Sequence, residues 1–462
     1  MNLIKPDLNL GLLSSPLLCP RRTQPSTPRR RLHPPLSAAG DVVGVSEKPA
    51  TCTADELHYV SIPDSGWSLA LWRYLPALHA AKRNHPLLLL SGVGTNAIGY
   101  DLSPPQLSFA RHMSGQGFDT WTLEVRGAGL SKRVLHKVES SLPINLVSRK
   151  ELAGRSEGRW SSTNLFGDSG PRIMATLAGQ QPVPNAFSEL QGRISTFVDN
   201  FQKQFDLVVN SSWDLDDCLK QDLPVVMEYI RSVTEPKDGK LLAIGHSMGG
   251  ILLYAMLSLY GFEGRDPGLA AVITLGSSLD YMPSRSSLNL LQPLAERART
   301  LNLPSIPMGA IYSVIHPLAL QPSYLLSWLS SQISVQDVMI PELVEKLYLK
   351  NHCTVPAKLL LQLATAFEDG GLRDRNGTFF YKDHLHRSTV PVLALAGDRD
   401  LVCPPDAVYE TVKARRRPFI AYKVFGDPSG PHYAHYDLVG SRLASKQVYP
   451  CIIEFLLAHD AI

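Results

Sequence analysis

Residues 241–250 read Leu-Leu-Ala-Ile-Gly-His-Ser-Met-Gly-Gly, an apolar run that leads directly into a glycine-rich turn. A helical pattern follows over residues 248–260, and Gly261 is placed to end it. A G-x-S-x-G turn between a buried strand and a helix is typical of an exposed nucleophile. Side chains at Gly245 and Gly249 would collide with neighbouring backbone in so tight a turn. We therefore predict that Ser247 is a nucleophile; the alternative is a glycine-rich turn with an incidental serine.

The rest of the chain alternates between apolar runs and helical patterns. Two β-rich runs, 57–62 and 67–74, are joined by Pro-Asp-Ser-Gly and predict an antiparallel hairpin. Strands buried on both faces are predicted at 86–90, 118–125, 241–244, 269–275, 390–396 and 419–425. Further helices are predicted at 107–116, 214–233 (capped by Asp214) and 441–459. The pattern indicates an α/β fold whose mostly parallel sheet is flanked by helices.

Two long stretches interrupt this alternation. Residues 131–211 are rich in Ser, Arg, Gly and Asn, and predict a poorly ordered surface insertion. Residues 277–387 lie between two core strands and are mostly helical in pattern. Insertions of that length are usually functional, so we predict a helical cap, or lid, over the site. The core is then formed by residues 55–130, 212–276 and 388–462.

A serine hydroxyl is a poor nucleophile unless an oriented base accepts its proton. In this context the chain order is Ser, then Asp or Glu, then His. The strand at 390–396 leads into two aspartates, Asp398 and Asp400. Asp400 is our choice because it lies further into the loop, where its carboxylate can turn toward the serine. Asp398 is expected to satisfy the backbone of the turn.

The base is sought after the last predicted strand, in a loop that carries His432 and His435. We choose His435 because its distance from the strand places it over the nucleophile. His432 is the competitor, and its alternative interpretation is a surface-loop histidine. Asp437 is placed to cap the last helix. His432 and Asp437 also have the H-x4-D spacing found in some acyltransferases.

An acyl-transfer enzyme needs backbone N–H groups directed at the developing oxyanion. One is expected from Met248, the residue after the nucleophile. The second is expected from the loop at residues 91–96, whose small residues allow close approach to a substrate carbonyl. Val93 is our first choice for this donor and Gly94 the second. The alternative is a simple strand-to-helix turn.

Charge is concentrated at the amino terminus, although the whole chain has a net charge of only +3. The first forty residues contain one acidic residue, Asp7, and are rich in Ser, Pro and Leu. Such composition predicts a transit peptide over residues 1–45, for chloroplast ahead of mitochondrion, with a disordered tail as the alternative. The body has no basic excess suited to nucleic acid. The basic residues of the leader are Lys5, Arg21, Arg22, Arg29, Arg30 and Arg31.

No cofactor or metal is predicted. The chain has no phosphate loop, no GxGxxG after a strand and no HExxH motif. Its six cysteines are scattered, without CxxC pairs or a histidine at metal-ligand spacing, and they predict ordinary thiols. No run of 18 apolar residues occurs, which argues against a membrane span.

The order of these motifs resembles the α/β-hydrolases, and among them the acid lipases and polyhydroxyalkanoate synthases. The similarity covers residues 55–130, 212–276 and 388–460. It is carried by the hairpin, Arg126-Gly127-Ala128-Gly129-Leu130-Ser131, Asp222-Leu223-Pro224, the Ser247 turn, and the Asp400 and His435 segments. The resemblance implies a serine hydrolase. With its leader, the chain looks most like plant plastid α/β-hydrolases.

Two departures bear on what the resemblance implies. The synthases use cysteine where this chain has Ser247, which favours hydrolysis over polymerisation. The loop reads Ser91-Gly92-Val93 where lipases commonly have His-Gly, so the oxyanion geometry is not simply transferred.

The predicted cap is rich in leucine, and four of its residues are candidates to line an acyl pocket: Leu291, Ile311, Leu325 and Trp328. The alternative is that they pack the cap against itself. The function expected from the residues is hydrolysis of a small hydrophobic, lipid-like ester through an acyl-enzyme, with peripheral membrane contact. An acyltransferase with the same triad and a non-catalytic ligand receptor are the alternatives.

Overall fold

The computed structural model describes residues 47–133 (except 103, 105 and 106), 212–287, 300, 305–307, 333–335 and 338–461 (except 417). Within these residues the strands are β1 (Glu56–Ile62), β2 (Trp67–Tyr74), β3 (Leu87–Leu90), β4 (Thr120–Leu123), β5 (Lys132–Arg133), β6 (Leu241–His246), β7 (Leu269–Leu275), β8 (Ser305–Pro307), β9 (Thr354–Pro356), β10 (Val392–Gly397) and β11 (Ile420–Phe425). The main sheet has the order β1-β2-β4-β3-β6-β7-β10-β11, with β5 paired to β2.

Strand direction defines the fold. β1 and β2 form the antiparallel hairpin that the sequence predicts, and β2 is also antiparallel to β4. The remaining neighbours, from β4 through β3, β6, β7 and β10 to β11, are parallel. A mixed, mostly parallel eight-strand path with a reversed second strand is the α/β-hydrolase fold. The predicted fold class is therefore confirmed.

Helices cover both faces of this sheet. In the described residues they are α1 (Phe109–Gly115), α2 (Leu215–Asp217), α3 (Leu223–Thr234), α4 (Met248–Glu263), α5 (Pro341–Lys350), α6 (Ala357–Ala364), α7 (Tyr381–His384), α8 (Pro405–Lys413), α9 (Asp437–Gly440) and α10 (Ala444–Ala458). A π-helical turn, Cys218–Asp222, joins α2 to α3. Asp214 caps α2 as expected, in a capping box with Asp217.

Two apolar layers hold the sheet between the helices. Along β3, Leu88 and Leu90 pack into one layer while Leu87 and Leu89 pack into the other. Successive side chains of a strand point to opposite faces, so a run of four leucines is what a doubly covered strand requires. Burying each such side chain contributes about 1.5–3 kcal/mol, which makes these central strands a rigid support for the loops at their ends.

The end of α4 corrects one prediction. The helix does not stop at Gly261; it continues to Glu263 and ends at Gly264, which takes the left-handed conformation with φ of 67°. Gly261 lies inside the helix, where a Cβ atom would come within 3.0 Å of the Ser388 amide nitrogen. This glycine permits close packing rather than a turn.

The predicted domain boundaries are only partly within the described chain. The leader at 1–45, and residues 134–211 of the first predicted insertion, lie outside it. The start of that insertion belongs to the sheet, because β5 pairs with β2. The described parts of 277–387 contain α5, α6 and α7, together with a two-stranded sheet of β8 and β9 that the sequence pattern did not indicate.

Two further features concern thiols and membranes. Cys52, Cys218 and Cys403 are buried free thiols, while Cys353 and Cys451 are half-buried free thiols. No helix in the described ranges is both long enough and apolar enough to cross a bilayer.

Candidate active site

Ser247 lies between the last residue of β6 and the first residue of α4, at φ of 56° and ψ of −120°. Positive φ is strained for a residue with a side chain, and the surrounding structure must enforce it. Close packing of the two flanking glycines holds the turn in this conformation. A Cβ atom at Gly245 would overlap the backbone of Gly249, and one at Gly249 would overlap the Leu90 carbonyl. The Ser247 amide also donates to Leu275 of β7 at 2.9 Å.

Asp400 and His435 meet although 35 residues separate them in the chain. His435 Nδ1 lies 2.8 Å from Asp400 Oδ2. The other oxygen, Oδ1, accepts the amides of Val402 at 2.9 Å and Cys403 at 2.7 Å. A carboxylate that accepts these bonds holds Nδ1 protonated and leaves Nε2 as the basic nitrogen. The structure thus brings together the acid and the histidine chosen from sequence.

The two competing residues form a second, separate pair. His432 Nδ1 lies 2.5 Å from Asp398 Oδ2, and Asp398 Oδ1 accepts the Tyr433 amide at 2.9 Å. Asp398 therefore binds turn backbone, as expected, and also binds the histidine. Both side chains of this pair are about one quarter exposed, whereas Asp400 is fully buried and His435 nearly so.

Gly276 is a site residue that sequence reasoning missed. It follows β7 at φ of 53°, and a Cβ atom there would lie 2.9 Å from Asp400 Oδ2 and 3.0 Å from His435 Nδ1. The glycine leaves room for the carboxylate–imidazole pair against the end of the sheet. Its position just after an apolar strand was the available signal.

His246, the residue before Ser247, fixes the histidine loop to the serine turn. Its Nε2 donates to the backbone carbonyl of His435 at 3.0 Å, and the two rings are 4.5 Å apart. The pKa of His246 is lowered to about 3, mainly because the ring is buried and to a smaller extent because His435 is near. His246 is therefore a neutral donor, and it holds the His435 loop beside the turn that carries Ser247.

The loop after β3 (residues 91–96, called the oxyanion loop below after its predicted role) lies against Ser247. A Cβ atom at Gly92 would come within 3.3 Å of Ser247 Cβ and 3.6 Å of its Oγ. Val93 and Gly94 follow directly, and Gly94 has φ of 63°. As the first residue of α4, Met248 has an N–H without an intrahelical acceptor, and this helix end favours negative charge.

Glu124 joins the oxyanion loop to the turn after β4, and sequence reasoning also missed it. Its Oε1 accepts the Ala97 amide at 3.0 Å and its Oε2 accepts the Leu130 amide at 2.6 Å. A Cβ atom at Gly129 would overlap this carboxylate, so the glycine is required where φ is 50°. Burial raises the pKa of Glu124 to about 7, despite the two amides that favour its charged form.

This pKa predicts that stability falls as the pH rises from about 4.5 to about 7. In that interval the folded protein retains a proton on Glu124 that the unfolded chain has lost. Unfolding therefore releases a proton, and the free energy of unfolding falls as the pH rises. Between pH 5 and pH 8 the contribution is about 2–3 kcal/mol. Urea unfolding at both pH values should show a decline that is smaller by this amount in Glu124→Gln than in the wild type, because Asp437, with its pKa also raised to about 6, contributes to the decline in both proteins. The exposed Glu454→Gln should behave as the wild type, and an unchanged decline in Glu124→Gln would contradict the assignment.

Asp437 corrects a second prediction, because it does not cap the last helix. Its carboxylate accepts the Ala434 amide at 2.8 Å, the Val335 amide at 2.8 Å and the Ser334 hydroxyl at 2.5 Å. It lies in the first turn of α9, and α10 begins only at Ala444. Burial raises its pKa to about 6. Asp437 therefore joins the His435 loop to residues 333–335 of the predicted cap.

The remaining predictions concern the substrate pocket and metal binding. The four candidate pocket residues Leu291, Ile311, Leu325 and Trp328 are outside the described ranges. In the part of the chain that the structure describes, no group of three or more His, Cys, Asp or Glu side chains could hold a metal ion.

Comparison with known proteins gives no family assignment: no protein-family model matches the chain, and no curated protein matches it significantly. Solved structures are similar at low identity. The monoacylglycerol lipase of Paleococcus ferrophilus is 14% identical, with 84% of this chain and 99% of that chain covered and a TM-score of 0.45. A thermophilic esterase from Thermogutta terrifontis is 15% identical, with coverages of 88% and 99% and a TM-score of 0.46.

A soluble variant of monoglyceride lipase from Saccharomyces cerevisiae is 13% identical, with coverages of 90% and 98% and a TM-score of 0.46. These likenesses concern the fold, which the strand order already defines. The chemistry of this chain has to be argued from its own residues.

Proposed function

We propose that this protein is a serine hydrolase that cleaves a carboxylic ester through an acyl-enzyme, with Ser247 as nucleophile, His435 as base and Asp400 as the orienting acid. The observation that carries the proposal is the buried His435–Asp400 pair, joined through His246 to the strained turn that presents Ser247. A nucleophile, a base and a group that orients the base are the three parts that acyl transfer requires.

The reaction follows from these positions. Ser247 Oγ attacks the ester carbonyl carbon while His435 Nε2 takes the hydroxyl proton, and Asp400 stabilises the resulting imidazolium. Collapse of the tetrahedral intermediate breaks the ester C–O bond, and His435 returns the proton to the leaving alkoxide. Water then attacks the acyl-enzyme by the same route and releases a carboxylic acid.

The amides of Met248 and of Val93 or Gly94 are the proposed oxyanion donors. The close approach of Gly92 to Ser247 supports this, because it sets the loop backbone beside the reacting atoms. Such donors act on charge that develops only in the transition state, and removing one typically costs about 10²–10³ in kcat.

A hydrophobic ester is the proposed substrate class. Support comes from two large apolar side chains that are exposed in segments adjoining the site: Leu349 and Leu401, at 47% and 44% exposure. Leu401 follows Asp400 directly, and Leu349 lies just before the segment that contacts the oxyanion loop. Exposed apolar groups beside a site favour lipid-like ligands and contact with a membrane surface.

We also propose that the protein acts in a plastid and belongs with the plant plastid α/β-hydrolases. The support is the basic, acid-poor, Ser- and Pro-rich composition of the first forty residues. Import of the full chain into isolated chloroplasts, with shortening by proteolysis, is the corresponding test.

The experiment for the enzymatic proposal is labelling with a fluorophosphonate probe, followed by hydrolysis of p-nitrophenyl esters of increasing acyl length. The wild type should be labelled on the peptide that contains Ser247, and medium or long acyl chains should be preferred. His435→Ala should lower the labelling rate by at least about 10²-fold, because the hydroxyl loses its base.

The matched variant His432→Ala should label at close to the wild-type rate, since its imidazole pairs with Asp398 instead. A folded wild type that resists both short and long probes would favour a non-catalytic receptor. Product esters formed when an alcohol is added would favour an acyltransferase.

A further inference from the structure

Residues 350–353, which run from the last residue of helix α5 into the segment after it, hold the oxyanion loop from the side of the predicted cap. The Asn96 amide donates to the carbonyl of Asn351 at 3.1 Å, and the Cys353 amide donates to the carbonyl of Gly94 at 2.7 Å. Asn96 Nδ2 donates to the Lys350 carbonyl at 2.8 Å. These bonds flank Thr95, which forms an antiparallel bridge with His352, so the loop is paired as if to a strand.

The side chain of Asn351 lies at the centre of this contact. It is fully buried, and its Oδ1 accepts the Asn96 amide at 3.3 Å in addition to the backbone bond. On its other side the amide group packs against Gly99, where a Cβ atom would lie 3.0 Å from Oδ1 and 3.2 Å from Nδ2. Tyr436, the neighbour of His435, donates its hydroxyl to the Gly99 carbonyl at the same place.

The Nδ2 atom of Asn351 has no hydrogen-bond partner among the described residues. A buried donor without a partner costs free energy, and an apolar side chain of the same size would not have that cost. Packing alone therefore does not explain the amide. What the amide provides is an acceptor for Asn96 at a fixed distance behind the loop. Within the loop, the Thr95 amide and Thr95 Oγ1 donate to the Gly92 carbonyl at 3.4 Å and 2.8 Å, and Ser91 Oγ donates to the Asn96 carbonyl at 3.3 Å.

We infer that Asn351 is a positioning residue for the oxyanion hole: it sets the backbone of Val93 and Gly94 against Ser247 without touching substrate. The inference rests on the proposed function. Oxyanion donors must lie 2.7–3.1 Å from the oxygen they stabilise, and a displacement of about 1 Å costs about 10²-fold in rate. The predicted cap thus contributes to catalysis through the loop and not only by covering the site.

The test is Asn351→Ala, assayed with the best p-nitrophenyl ester and with the fluorophosphonate probe. We expect kcat and the labelling rate to fall by about 10- to 100-fold while KM changes less than about twofold, because oxyanion bonds form in the transition state. A purely structural role would lower the melting temperature and the amount of active enzyme, but not kcat per labelled site.

Gln362→Ala is the matched control. Gln362 is also a buried amide within residues 277–387, but its side chain accepts the Leu215 amide at 2.9 Å and donates to Asp216 at 2.6 Å, and neither partner belongs to the oxyanion loop. Its removal should destabilise the protein without changing kcat. An equal loss of kcat in both variants, or wild-type kcat in folded Asn351→Ala, would overturn the inference.

Asn351→Leu decides the matter if Asn351→Ala fails to fold. Leucine has a similar branched shape, but it removes the Oδ1 acceptor of the Asn96 amide and leaves no buried donor without a partner. The same selective loss of kcat supports the inference, and an unchanged kcat overturns it. Failure of the proposed function is distinct, since the wild type itself would then show neither labelling nor hydrolysis.

Discussion

Ser247→Ala should reduce ester hydrolysis by about 10⁴-fold or more while KM stays nearly constant. The substitution removes the only atom that becomes bonded to the acyl group in the proposed reaction. It should not destabilise the protein, because alanine occupies the same position at φ of 56° and no other residue depends on the serine hydroxyl in the described structure. Steady-state kinetics and thermal unfolding of the two proteins check both expectations.

The control for this variant is Ser278→Ala. Ser278 is buried close by, but its hydroxyl bonds the carbonyls of Ala407 at 2.7 Å and Asp280 at 2.8 Å. We expect a lower melting temperature and a kcat within a few-fold of the wild type. If purified, folded Ser247→Ala kept more than about a tenth of the wild-type kcat, the nucleophile would have to be another residue.

Asp400→Asn should lower kcat by about 10³–10⁴-fold. An amide can still accept the Val402 and Cys403 amides through its oxygen, so the turn is preserved. Its NH₂ group then faces His435 Nδ1, which must lose its proton to accept the bond. The proton moves to Nε2, and the histidine can no longer act as base.

Asp398→Asn makes the same chemical change in the neighbouring aspartate–histidine pair and should keep kcat within a few-fold. The comparison is internal, because both residues lie in one turn and each binds one histidine of one loop. Loss of activity in Asp398→Asn together with full activity in Asp400→Asn would exchange the roles of the two pairs and contradict the proposed triad. The rate is best measured per labelled site, so that partial unfolding does not distort it.

Much of the fold could be predicted from local pattern. The strands at β3, β6, β7 and β10 are buried on both faces, and that burial requires continuous apolar runs of the kind visible in the chain. The serine turn and the aspartate–histidine pair could be anticipated as well, because each follows a strand at the same edge of a parallel sheet. The helix end predicted at Gly261 is wrong because a glycine that ends a helix and one that allows close packing look alike in sequence.

The supporting residues could not be predicted in the same way. Glu124, Gly276, Asn351 and Asp437 act through partners that are distant in the chain, and their identity depends on packing that no local pattern records. Asp437 illustrates this: its spacing suggested a helix cap, yet tertiary contacts give its oxygens three other donors. The pattern of a single loop contains no information about the segment that folds onto it.

The bond between His246 and His435 also has a consequence for biosynthesis. The two residues are 189 positions apart, so at about 5–20 residues per second the ribosome makes the histidine loop about 10–40 s after the serine turn. During that interval β10 and β11 have not been made, so β7 is an unpaired edge strand of the sheet. The nascent chain therefore exposes an unpaired edge at β7, which favours aggregation, until residues 392–425 have been made and have added β10 and β11 to the sheet.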